Sequence, residues 1–96
     1  FDIVLTNKVS KIVKIPVIAH GGAGSFNQVL DVITKTSISG VSLAGFFHYD
    51  VCSSFKFNKK IIGNIHYLKN LKKKPQSNLL KNLKNFLSSN GVNLRK

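Results

Sequence analysis

Apolar residues fall on one helical face at the start of the chain: Leu5, Val9, Ile12 and Val13 recur at helical spacing, and Asp2 is placed to cap them. This predicts an amphipathic helix from Asp2 to Val13. Pro16 cannot continue a helix, and Ile15 to Ala19 is a short, partly β-branched apolar run suited to a buried strand. The run stops at His20-Gly21-Gly22-Ala23-Gly24. Ser25 reads as an N-cap, with Gln28 completing a capping box, and Phe26, Val29, Leu30 and Ile33 form the stripe of a second helix ending near Thr36. Gly40 leads into a second apolar run, Val41 to Ala44, followed by Gly45 and Phe46-Phe47-His48-Tyr49. From Val51 to Gln76 the pattern weakens. Phe55, Phe57, Ile61, Ile62, Ile65 and Tyr67 fit either a hairpin turning at Gly63-Asn64 or a strand with a short helix. Lys69 to Lys74, closed by Pro75, reads as a surface linker. Ser77 is the expected cap of a last helix whose Leu79, Leu80, Leu83, Phe86 and Leu87 share a face, with Asn90-Gly91 as its stop.

Helix, strand, Gly-rich turn, helix, strand is a βαβ unit with a helix before it. Two short strands joined by a helix run parallel, and parallel strands are covered on both faces, which matches their nearly unbroken apolar character. The residues after Ala19 and after Ala44 therefore emerge at the same, carboxyl rim of the sheet. That rim is where ligands bind in open α/β sheets and in barrels.

Composition narrows the classes. The chain has 96 residues, 43% of them hydrophobic and 19% charged, so a folded domain or part of one is expected rather than a disordered tail. It begins at Phe1 rather than Met, as expected for a piece of something longer. There is no run of about 18 apolar residues and no signal-peptide order, so no membrane association is expected. One cysteine, Cys52, excludes an internal disulfide framework and suits a reducing cytoplasm. The net charge of +12 is uneven. Residues 1–50 hold four lysines and three aspartates, whereas residues 51–96 hold ten lysines, Arg95 and no acid. That half is either a solvated basic surface or a patch for an anion or polymer.

The Gly21-Gly22-Ala23-Gly24 turn before a capped helix lets backbone approach a ligand and leaves N–H groups pointing at it, a setting that favours phosphate. Gly45, just past the second strand, brings a second bare stretch of backbone beside the first. The glycine spacing fits neither G-x-G-x-x-G nor a Walker loop, so no nucleotide fingerprint is present. His20 and His48 are read as structural residues packing at the rim, and Cys52 as a thiol without a His or Asp partner. Asp31 and Asp50 read as solvated. Three scattered histidines and one cysteine make no metal constellation, and neither a cofactor nor a metal is expected. Phe55, Phe57 and Tyr67 among lysines could stack on bases, but they recur like a core stripe, and nucleic acid is not the expected partner.

Four motifs in order carry a family resemblance. Ile15-Pro16-Val17-Ile18-Ala19-His20-Gly21-Gly22-Ala23-Gly24 resembles the strand 7 region of the cyclase subunit of imidazole glycerol phosphate synthase, I-P-V-I-A-x-G-G-A-G. Leu43-Ala44-Gly45-Phe46-Phe47-His48 is similar to its strand 8 region, A-A-S-x-F-H. The ending Gly91-Val92-Asn93-Leu94-Arg95 is similar to the family's H-G-V-x-V-R close, and Phe1-Asp2 with Leu5 and Val9 to the helix before strand 7. The resemblance covers about residues 1–50 and 77–96.

It implies an α/β fold that is the carboxy-terminal fragment of a (β/α)8 TIM barrel: helix, strand 7, helix, strand 8, a variable segment and the last helix. The implied units are a βαβ portion with a phosphate-binding rim (1–50), a basic insertion (51–76) and a terminal helix with its tail (77–96). In the family, a phosphorylated ribonucleotide is cyclised with ammonia from a glutaminase partner subunit, in histidine biosynthesis. The family's two essential aspartates lie at the ends of strands 1 and 5, so the resemblance assigns no catalytic residue to this segment and implies inactivity of this segment alone. What carries over is a phosphate grip of Gly21, Gly22, Ala44 and Gly45, with the remainder of the barrel as partner. Gly45 stands where the family has Ser, and residues 51–76 exceed the family's short link. Both departures also resemble the paralogues of surface-polysaccharide operons, implied to assist ammonia-dependent sugar amidation. The non-enzyme alternative is a small basic nucleic-acid-binding module.

Overall fold

The computed structural model of the protein describes residues 1–54 and 78–95. Within them lie α1 (Ile3–Ile12), β1 (Ile18–His20), α2 (Phe26–Lys35), β2 (Gly40–Ser42), α3 (Ala44–Ser54) and α4 (Leu79–Ser89). The expected hairpin or strand and helix among Phe55 to Tyr67, the Lys69–Lys74 linker and the Ser77 cap lie outside the described residues.

Local chemistry accounts for the helix boundaries. The Asp2 side chain accepts the Leu5 N–H at 2.9 Å and so caps α1, which stops at an extended Val13 before Pro16. Ser25 Oγ accepts the Gln28 N–H at 3.3 Å at the start of α2, and Thr36 is its C-cap. At α4, Asn78 holds the cap position in a left-handed conformation, φ 64°, without a side-chain capping bond. Its far end closes as a Schellman motif: Gly91 at φ 80° lets the Val92 N–H reach Leu87 O and its own N–H reach Ser88 O, both at 3.1 Å.

β1 and β2 pair in parallel, with Ile18 opposite Gly40, Ala19 opposite Val41 and His20 opposite Ser42. The observed strands differ from the expected runs. Only residues with a partner in this register make a ladder, so Ile15 to Val17 precede the strand, and β2 ends at Ser42 rather than at Ala44. Ala44 instead opens α3, which takes up Phe46-Phe47-His48-Tyr49.

One face of this two-stranded sheet carries the core. Ala19 is buried, and Val41 packs against a cluster of Val29, Leu83 and Leu87, bringing α2 and α4 onto the same side. Phe26 bridges the elements, its ring 6.0 Å from that of Phe46 on α3 and 5.6 Å from that of Phe86 on α4. Burying each such aliphatic side chain stabilises the fold by about 1.5–3 kcal/mol. Val32, fully buried, belongs to the core although the sequence stripe omitted it. Leu80 does not: one position after Leu79 it is turned about 100° around the helix axis, and it is 53% exposed.

The other face of the sheet is bare. Ile18 is 66% exposed and His20 and Ser42 are exposed with it, because side chains alternate along each strand. The expected apolar face of α1 is likewise open, with Leu5 57% and Ile12 70% exposed. α1 is instead fastened by Ser10, the buried residue of that helix, whose Oγ donates to Asn7 O and accepts the Ser37 N–H at 3.3 Å.

Candidate functional site

The carboxyl ends of β1 and β2 lie side by side, since His20 and Ser42 are paired and end their strands. The segments that leave the two strands thus share one rim. After His20 come Gly21 and Gly22, with φ of 84° and 81°, a region L side chains seldom adopt. A side chain at Gly21 would meet no atom within 4 Å, whereas a Cβ at Gly22 would sit 2.5 Å from the Phe1 nitrogen, whose amine donates to Gly22 O at 3.3 Å. The loop is packed against the start of α1 at Gly22 and open at Gly21.

Gly24 ends the loop. Its N–H donates to Gln28 Oε1 at 2.7 Å, so the second half of the capping box reaches one residue beyond the N-cap, into the glycine turn itself. On the other strand, Ala44 and Gly45 form the first turn of α3, where backbone N–H groups have no partner within the helix. Both residues are exposed. The structure therefore gathers Gly21, Gly22, Ala44 and Gly45 at one rim, the last two on a helix N-terminus rather than on a strand end. The partial positive charge of such an end draws anions.

Two side-chain relationships were not legible in the sequence. His20 Nδ1 lies 3.1 Å from Ser42 Oγ across the strand pair. The register of the strand pair brings them together, and the expected strand ends at Ala19 and Ala44 did not show it. On α3, Cys52 Sγ lies 3.6 Å from His48 Nε2, one helical turn away. Cys52 thus has a histidine partner, contrary to the expectation, and the signal was the four-residue spacing. Of the three acids, Asp2 caps α1 beside Phe1, whose amine meets Gly22 O, Asp31 pairs with Lys35 at 2.8 Å, and Asp50 lies on α3. Among the described residues no group of three or more His, Cys, Asp or Glu side chains could hold a metal ion, and no helix is long and apolar enough to cross a membrane.

A basic cleft lies along α4 and the tail that follows it. Of about 590 Å³, it is lined by Lys81, Lys84 and Arg95, with Asn85, Leu80 and Leu94 among its other walls.

Comparison with known proteins places the first half of the chain. The profile of a family described as "Histidine biosynthesis protein" matches residues 1–53. Imidazole glycerol phosphate synthase subunit HisF of Prochlorococcus marinus (strain MIT 9515) is 43% identical over 67 residues, covering 65% of this chain and 26% of the relative. The subunit of the same name from Streptococcus sanguinis (strain SK36) is 45% identical over 49 residues, 51% of this chain and 19% of the relative. That of Methanococcus maripaludis is 34% identical over 64 residues, 67% of this chain and 24% of the relative. The matched part thus spans about a quarter or less of the curated relatives' length. No solved structure matches.

Proposed function

The chain belongs to the histidine biosynthesis protein family, and on that premise we propose that it forms the last quarter of a (β/α)8 barrel and supplies the phosphate grip of an imidazole glycerol phosphate synthase cyclase. The observation that carries this reading is the shared rim. A turn with two positive-φ glycines follows β1, and the first turn of α3 follows β2, its parallel neighbour. Barrels that bind phosphate build the site from the loops after strands 7 and 8 and the N-terminus of a short extra helix. Gly21 and Gly22 play the first part here, and Ala44 and Gly45 the second. Their N–H groups hold phosphate oxygens in fixed positions, which orients the rest of the substrate.

The chemical step lies elsewhere. The family resemblance puts the general acid and base on strands 1 and 5, in the remainder of the barrel. The exposed apolar faces of α1 and β1 suit cover by that remainder. The substrate is a phosphorylated ribonucleotide, and the nitrogen is ammonia delivered by a glutaminase subunit. In this reading the 96-residue chain alone does not turn over substrate and self-associates through its bare faces. Gly45 in place of Ser favours a second reading, a paralogue assisting ammonia-dependent sugar amidation in surface-polysaccharide synthesis. It uses the same grip. The test of the grip is Gly22→Val, which abolishes phosphate binding; undiminished binding by that variant overturns the proposal.

A further inference from the structure

Val92 and Leu94 pack against the core cluster that holds Leu83 and Leu87, so the tail beyond Gly91 lies alongside α4. The cleft of about 590 Å³ between them has the size of a ligand-binding pocket. Its floor is the solvent side of the helix. Leu79, Leu83 and Leu87 are buried, whereas Leu80, Lys81, Lys84 and Asn85 recur at helical spacing on the exposed side, and Arg95 closes the cleft from the tail.

Three cations line this cleft with no acid to meet them. Residues 51–96 contain neither Asp nor Glu, Asp31 is engaged by Lys35, and among the described residues no acidic side chain pairs with Lys81, Lys84 or Arg95. An anion relieves their mutual repulsion. The other walls select among anions. Leu80 and Leu94 are apolar, and the Asn85 carboxamide carries both a donor and an acceptor, which is what a peptide group needs. No aromatic residue lines the cleft, so it lacks the stacking platform that holds a single-stranded nucleic acid. The 11 residues of α4 span about 16 Å, the length of about five residues of extended chain. We propose that this cleft docks an extended acidic segment of a partner protein, about five residues long and carrying both carboxylate and apolar side chains. The cleft shares no residue with the glycine rim, and the proposal does not depend on the phosphate-grip reading.

The experiment titrates the full chain with the peptide acetyl-Glu-Leu-Glu-Leu-Glu-amide and follows the backbone amides by NMR. Shifts gather at Lys81, Lys84, Asn85 and Arg95, and affinity falls as salt rises. The neutral peptide acetyl-Gln-Leu-Gln-Leu-Gln-amide binds about tenfold more weakly. Lys81→Gln combined with Lys84→Gln lowers the affinity for the acidic peptide about three- to tenfold, as the loss of two exposed ion pairs does, whereas Lys84→Arg keeps the parent value. Both lysines are exposed, so the variants keep the parent's urea midpoint. Equal affinity for the two peptides, shifts that gather outside the cleft, or tighter binding of a five-nucleotide oligothymidylate at the same amides overturns the proposal. Each of these results leaves the phosphate grip standing, because its own readout is the amides of Gly21, Gly22, Ala44 and Gly45.

Discussion

The Gly24 N–H donates to Gln28 Oε1 at 2.7 Å, so a side chain of α2 reaches back into the loop proposed to hold phosphate. The neutral Gln28 carboxamide oxygen is thereby fixed beside the rim, where a full negative charge in its place would repel an anion. Gln28→Glu preserves the acceptor but adds a negative charge, and phosphate affinity falls by about three- to tenfold at low salt. Titrations at two ionic strengths check this, since added salt narrows the difference.

Gly45 admits a side chain. A Cβ there would lie 3.5 Å from Tyr49 Cε2, an ordinary contact, so Gly45→Ser is tolerated without rearrangement. The restored hydroxyl sits at the helix N-terminus and can add a hydrogen bond to phosphate, worth about two- to tenfold in affinity. Isothermal titration with phosphate measures the gain.

The two turn glycines respond differently to alanine. Gly21→Ala meets no neighbour and costs only the positive-φ penalty, about 1–2 kcal/mol. Gly22→Ala adds the approach to the Phe1 nitrogen and costs more, through displacement of the start of α1. Urea unfolding of both variants gives the order, with Gly22→Ala the less stable.

Leu87 and Leu80 test which face of α4 is buried. Leu87→Ala empties a core site beside Val29 and Leu83 and costs about 2–5 kcal/mol. Leu80→Ala, on the exposed face, changes stability by about 0.5 kcal/mol or less. Denaturant midpoints for the pair suffice.

Much of this was written locally in the sequence. The Asp2 and Ser25 caps, the Pro16 break, the Gly21-Gly22 turn and the Asn90-Gly91 stop each depend on a few adjacent residues and were read correctly. The features that were not legible depend on partners distant along the chain. Strand length is set by overlap with the other strand, so Ala44 was assigned to a strand although it begins α3. Leu5 lies on the apolar stripe of α1 yet is exposed here, because no described element packs against that face, whereas Leu80 is exposed by its own angle on α4. His20 and Ser42 meet only through register. The proposed site residues Gly21, Gly22, Ala44 and Gly45 were named by the turns and by family resemblance, and their common rim follows from parallel pairing. The charge of +12 was the loudest signal and the least informative about the rim, since its excess falls in residues 51–96, where Lys81, Lys84 and Arg95 line the cleft along α4 and its tail.

The most direct test of the phosphate grip is an amide NMR titration of the chain with inorganic phosphate. The predicted result is a set of shifts at Gly21, Gly22, Ala44 and Gly45 that saturate together with one dissociation constant and are lost in Gly22→Val. Shifts confined to the Lys81, Lys84 and Arg95 cleft, with the rim unmoved, would contradict it.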